Sequence, residues 1–69
     1  MILILKDGRR IAPIIIGLPE HVEPQNVIKG IDIDSKDRDL FGKNIIESFT
    51  FDDVAGVLGS HTFSPLNLK

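Results

Sequence analysis

Four aspartates close together are the first candidates for chemistry in this chain. Asp32, Asp34, Asp37 and Asp39 are spaced closely enough to suggest a Ca²⁺ site. The calcium loop of an EF-hand needs oxygen ligands at positions 1, 3 and 5, glycine at position 6 and a carboxylate at position 12. Counted from Asp32, lysine stands at positions 5 and 12 and aspartate at position 6, so the pattern fails at three places. We therefore expect a solvated charged turn and no bound metal.

The histidines and hydroxyl side chains do not form a recognisable catalytic set. His21 and His61 are the two histidines, whereas a hydrolytic zinc site needs three protein ligands, and no carboxylate has a chelating spacing to them. Ser60 precedes His61, but no nucleophile-elbow motif surrounds it. The segment Gly56–Gly59 lacks the lysine and the setting of a phosphate-binding loop. The sequence therefore predicts a protein that is not an enzyme and that holds no cofactor.

Three cations near the start of the chain offer a different chemistry. Lys6, Arg9 and Arg10 surround a predicted turn, and the tip of a β-ribbon can enter a nucleic-acid groove. Binding to single strands also needs exposed aromatic side chains, and the four phenylalanines include only Phe41 and Phe63 as loop candidates. The net charge of −2 gives no general attraction to nucleic acid. Nucleic-acid binding is therefore the alternative prediction.

These cations belong to a predicted β-hairpin. Asp7-Gly8 between two apolar β-branched runs indicates a two-residue type I′ turn. That turn would place Ile4 opposite Ile11 and Leu3 opposite Ala12. Because side chains alternate along a strand, Ile2, Ile4 and Ile11 would then share one face. The other face would carry Leu3, Leu5, Ala12, Ile14 and Ile16.

Both faces of this hairpin are apolar, so neither is expected to stand in water. Either the hairpin lies within a core or its second face meets another chain. The following connection, 17–26, contains two prolines and is long enough to be a binding loop, although it is also consistent with a plain crossover between sheets. Residues from the second face and from this loop form the predicted partner interface: Leu3, Leu5, Ile14, Ile16, Leu18 and Val22.

The remaining chain indicates further strands. Segments 27–33 and 45–51 have strand patterns, with a charged loop between them, and Gly30 suggests a bulge or a close approach by another element. Segment 51–58 is ambiguous. Its apolar spacing and the pair Thr50 and Asp53 favour one short helical turn, whereas Gly56 favours a turn followed by a strand. Residues 66–68 are expected to add an edge strand.

The layout as a whole resembles small SH3-like or Sm-like barrels. The resemblance covers residues 2–58 and includes the segment Ile-x-x-Phe-x-Phe-Asp-Asp-Val-x-x-Val, residues 46–57. In those folds a late strand runs into a short helical turn and a final strand. The resemblance is one of arrangement, without a sequence motif, so it implies no functional residue. The expected fold is mainly β, a small twisted antiparallel sheet or partly open barrel with at most one short helix near residues 51–58.

The size and composition of the chain bear on its number of domains, its location and its association. The chain has 69 residues and no cysteine, so we expect one domain over residues 1–69 and a reducing, cytoplasmic location. No apolar run is long enough for a membrane span, and Met1 leads directly into a strand without a signal segment. A chain this short has a marginal core that association would supplement. We expect a non-enzymatic binding module that acts through protein–protein contact as a homo-oligomer, for example a regulator, an inhibitor or a small subunit.

Overall fold

The protein is an open antiparallel β-sheet. The structure is a computed structural model that describes residues 1–14 and 21–66. In this part of the chain, strands occur in the order β4-β3-β2-β1-β5-β6, and the one helical segment is a 3-10 turn at Phe51–Asp53. The mainly β prediction is confirmed. The strands are β1 (Ile2–Leu5), β2 (Arg10–Pro13), β3 (Val27–Asp32), β4 (Glu47–Thr50), β5 (Val54–Leu58) and β6 (Phe63–Pro65).

One face of the sheet forms the core, because alternate residues of the central strands are apolar. The register pairs Leu3 with Ile11 in β1 and β2, and Ile28 with Phe49 in β3 and β4. These side chains share what we call the inner face. Val22, from the loop before β3, packs against it. The buried apolar residues are Leu3, Leu5, Ile11, Val22, Ile28, Phe49, Phe51 and Val54.

The first hairpin has a different register from the predicted one. Its loop has three residues, and the Gly8 N–H donates to the Leu5 carbonyl oxygen at 2.9 Å. Gly8 has φ +94°, whereas no described residue other than glycine has a positive φ. This geometry is typical of a type I turn followed by a G1 bulge, so the type I′ prediction is wrong. The Asp7 carboxylate stabilises the turn by accepting the Arg9 N–H at 3.0 Å.

A shift of one residue exchanges the faces of one strand relative to its partner. Ile11 therefore faces Leu3, and Ile4 faces Arg10. The predicted partner of Leu3 was Ala12, which by alternation lies on the opposite side of the sheet. The second face of the hairpin thus exists, but it carries Ile2 and Ile4 in place of the two leucines.

Segment 51–58 follows the second of the two predicted alternatives, a turn followed by a strand. Only Phe51–Asp53 is helical, and Val54–Leu58 is a strand that pairs with β1. The Asp53 carboxylate accepts the Thr50 N–H at 3.1 Å, which is one of the two bonds of the predicted capping box, and it also accepts the Thr50 hydroxyl at 3.2 Å. The turn carries the chain from β4, at one edge of the sheet, to a position beside β1.

Gly30 marks a close approach of backbones rather than a bulge. Its strand pairs continuously with both neighbours, and a Cβ at this position would lie 2.5 Å from the Ile11 side chain. The irregularity in the sheet lies instead between Ile4 and Leu5 in their pairing with β5. The last strand is also earlier than predicted, at Phe63–Pro65. Of the predicted edge strand 66–68, residues 67 and 68 lie outside the described residues.

Candidate protein-contact surface

An apolar surface covers the side of the sheet opposite to the core. The registers pair Phe63 with Leu58, Leu58 with Ile2, and Ala12 with Ile31. Since Leu3 pairs with Ile11, alternation brings Ile2 and Ala12 together and makes the row continuous across five strands. We call this surface the outer face and define it by seven residues: Ile2, Ile4, Ala12, Ile14, Ile31, Leu58 and Phe63.

The outer face is only partly shielded within the chain. Ile14 is 49% exposed and Phe63 is 47% exposed. The other five members are half-buried. Phe63 also lies across the backbone of Gly56, where a Cβ would collide with the aromatic ring. Adjoining apolar side chains that remain partly exposed on one face are typical of a contact surface.

The structure separates the predicted interface residues into three groups. Leu3 and Leu5 are 2% exposed and Val22 is 7% exposed, so all three belong to the core of their own chain. Ile14 lies at the end of β2 on the outer face, where its N–H donates to the Lys29 carbonyl oxygen at 2.9 Å. Ile16 and Leu18 lie outside the described residues.

A second apolar feature stands at the end of the charged loop between β3 and β4. We call residues 39–43 the loop tip. Leu40 is 100% exposed and Phe41 is 84% exposed. Neither residue belongs to the predicted interface. The sequence feature that indicates the loop tip is a pair of adjacent large apolar residues between Asp39 and Gly42, since aspartate and glycine are both typical turn residues.

Hydrogen bonds fix the conformation of the loop tip. One carboxylate oxygen of Asp39 accepts the Phe41 N–H at 2.8 Å and the Lys43 N–H at 2.9 Å. The Asp39 N–H donates to the Lys43 carbonyl oxygen at 2.9 Å, and Gly42 has φ +75°. A β-bridge between Arg38 and Asn44 closes the tip. The two apolar side chains are therefore presented by an ordered turn.

A small cavity lies at the base of the same loop, and we call it the loop pocket. Its volume is about 130 Å³. Ile31 and Ile45 supply its apolar lining, and Ile31 also belongs to the outer face. Three carboxylates supply all the charge of its lining. The lining residues are Ile31, Asp32, Ser35, Asp37, Asn44, Ile45 and Glu47.

Two arginines of the predicted nucleic-acid site have acidic partners. Arg10 donates two hydrogen bonds to the Asp34 carboxylate, at 3.0 and 2.5 Å, and this contact lowers the pKa of Asp34 from its ordinary value. Arg9 contacts Asp7 at 2.8 Å, and its hydrogen bonds to the Asp7 carboxylate lower the pKa of Asp7. The side chain of Arg9 also lies 5.3 Å from the centre of the Phe49 ring.

The third cation is engaged in the same way. The Lys6 ammonium lies 3.8 Å from the Asp52 carboxylate. Exposed pairs of this kind add little stability, but they place a negative charge beside each cation. The structure therefore brings Lys6, Arg9 and Arg10 to one end of the sheet without leaving a patch of uncompensated positive charge.

The residues considered for metal binding and catalysis do not converge in the described part of the chain. No group of three or more histidine, aspartate or glutamate side chains there is placed to hold a metal ion. His21 lies 3.5 Å from Glu23 and both are exposed to a similar degree. Within residues 1–14 and 21–66 there is also no apolar helix of membrane-spanning length.

Comparison with protein-family models, with curated proteins and with solved structures found no match to this chain.

Proposed function

We propose that this protein is a non-enzymatic binding module that acts through protein–protein contact, and that copies of the chain associate through the outer face. The apolar row of the outer face, which is exposed at Ile14 and Phe63 and half-buried elsewhere, is the observation that carries the proposal. It crosses five strands of a sheet whose other side is already the core. Burial of such a surface contributes about 25 cal/mol per Å² of apolar area, which favours association.

The size of the chain supports self-association. A sheet with one layer of apolar side chains on its inner face has a modest core, and small domains commonly gain stability by pairing with a second copy. The same patch on two copies is self-complementary under a two-fold axis. The sequence has no cysteine, which agrees with a module that works in the reducing cytoplasm.

Nucleic-acid binding is the weaker candidate. Phosphate recognition depends on cations that can release bound counterions. Lys6, Arg9 and Arg10 each have a carboxylate within 4 Å. Phe49, whose ring lies beneath Arg9, is buried and does not offer a stacking surface. We therefore place the function at the outer face rather than at the hairpin end.

Light scattering on a concentration series tests the proposal. We expect the wild-type chain to have the mass of a dimer or larger assembly that dissociates on dilution. Ile14→Asp places a charge in the outer face and should raise the midpoint concentration for dissociation by about tenfold or more. Because Ile14 is half exposed, the variant should still fold.

Thr62→Asp is the matched control. It adds the same charge at an exposed position in the turn between β5 and β6. The Thr62 backbone carbonyl oxygen, which accepts the Gly59 N–H at 2.8 Å in this turn, is unchanged by the substitution. Its midpoint should equal that of the wild type. A wild-type mass of one chain at every concentration would refute the proposal.

A further inference from the structure

We propose that the loop tip of one copy docks into the loop pocket of a second copy. This inference rests on the self-association proposed above and adds an anchoring contact to it. The tip is a convex apolar knob, and the pocket is a concavity. A cavity of about 150 Å³ can hold an aromatic ring, and the loop pocket, which is partly open and lined by two isoleucines and five polar residues, has about 130 Å³.

The tip has the properties of an interface anchor. Leu40 and Phe41 make almost no contact within their own chain, since they are 100% and 84% exposed. Asp39 satisfies the backbone N–H groups of Phe41 and Lys43, so the turn can be buried without leaving these donors unpaired. An ordered turn also loses little conformational entropy on binding.

The charges of the loop pocket and of the loop tip favour a second copy of the chain as the occupant of the pocket. The loop pocket is lined by the carboxylates of Asp32, Asp37 and Glu47. Lys43, at the end of the tip, is exposed and has no carboxylate within 4 Å among the described residues. An apolar knob that carries an ammonium group is thus matched to a cavity with two isoleucines and an acidic rim. Arg9 is 3.9 Å from Glu47, but it is held more closely by Asp7.

The position of the two features within one loop allows the contact to be reciprocal. The tip is residues 39–43, and the pocket includes Asp37 and Asn44 at the base of the same loop. A two-fold axis beside the loop would place each tip on the pocket of the other copy. Ile31 belongs to both the pocket and the outer face, so the same two copies can meet through both surfaces.

The first test removes the knob. The variant Leu40→Ser with Phe41→Ser should raise the midpoint concentration for dissociation by about tenfold or more. Both side chains are exposed, so the variant should fold and melt as the wild type does. Leu40→Met with Phe41→Leu is the control, because it keeps apolar side chains at both positions and should retain most of the association.

The second test exchanges charges across the contact. Lys43→Glu and Asp37→Lys should each weaken association, because each places like charges together. The two variants mixed in equal amounts should associate about as tightly as the wild type, because the mixed dimer pairs opposite charges at both contacts. The chain that carries both substitutions should also associate about as tightly as the wild type.

The outcomes separate this inference from the function it rests on. If the wild type associates and Ile14→Asp weakens it, but the serine variant has an unchanged midpoint, the docking of the tip is overturned and the outer-face proposal stands. Failure of the charge exchange to restore association would also overturn the docking. If the wild type is a monomer throughout, both proposals fall.

Discussion

Gly30 shows how a single residue determines the close packing of the core. It lies in β3 opposite Pro13, and the side chain of Ile11 fills the space that a Cβ would occupy. Ile11 is fully buried and the Ala12 carbonyl oxygen lies 2.9 Å from the same Cβ position. Neither neighbour can move away without disturbing the pairing of β2 with β3, so the position requires glycine.

Gly30→Ala should therefore lower the free energy of unfolding by about 1–3 kcal/mol, as overpacking of a core does. Urea denaturation followed by circular dichroism measures this change. Gly59→Ala is the matched control, because its Cβ would meet only the Thr62 carbonyl oxygen at an ordinary 3.6 Å. That variant should change stability by less than about 0.5 kcal/mol. Equal stabilities for the two variants would contradict the packing assigned to Gly30.

At the scale of elements, the sequence was sufficient for most strands but not for the register of the first hairpin. Alternating apolar residues and turn residues located β3 and β4 to within two residues of their observed ends. Asp7-Gly8, however, is compatible with a type I′ turn and with a type I turn plus bulge. The choice depends on whether Asp7 caps the Arg9 N–H, which is a local contact of small energy.

The type of this turn has a large effect on which residues form the predicted contact surface. A shift of one residue moved Leu3 and Leu5 into the core and left Ile2 and Ile4 on the outer face. The apolar second face of the hairpin was thus predictable from the sequence, whereas the residues of β1 that form it were not. The loop tip was not predicted, because the charged residues around Leu40 and Phe41 dominate the local pattern.

The loop tip is an element whose order depends mainly on one side chain. Asp39→Ala removes the acceptor of two backbone N–H groups, each worth about 1 kcal/mol. Hydrogen exchange at the amides of Phe41 and Lys43 should become about fivefold faster by NMR. The global free energy of unfolding should hardly change, because the tip is exposed.

Lys36→Ala is the control for this prediction. Lys36 lies in the same loop, and its exposed side chain makes no hydrogen bond or ion pair with the described residues. The exchange rates at Phe41 and Lys43 should be unaffected by it. Unchanged rates in Asp39→Ala would show that the tip is ordered by something other than this carboxylate.

At the scale of the whole molecule, the sheet has two apolar sides, and residues 1–14 and 21–66 cover only the inner one. The inner face is covered by Val22 and Leu66 and by the 3-10 turn. The outer face has no such cover among the described residues. A second copy can bury it without any change in the fold, and the loop tip and loop pocket lie at its border through Ile31.

Contact between copies through the outer face is most directly tested by isotope-filtered NMR. The sample is an equal mixture of chains with labelled isoleucine methyl groups and unlabelled chains. We expect intermolecular nuclear Overhauser effects to the methyl groups of Ile2, Ile4 and Ile14, and none to those of Ile11 and Ile28 in the core. A spectrum without intermolecular effects at the outer-face isoleucines, recorded at millimolar protein, would contradict association through the outer face.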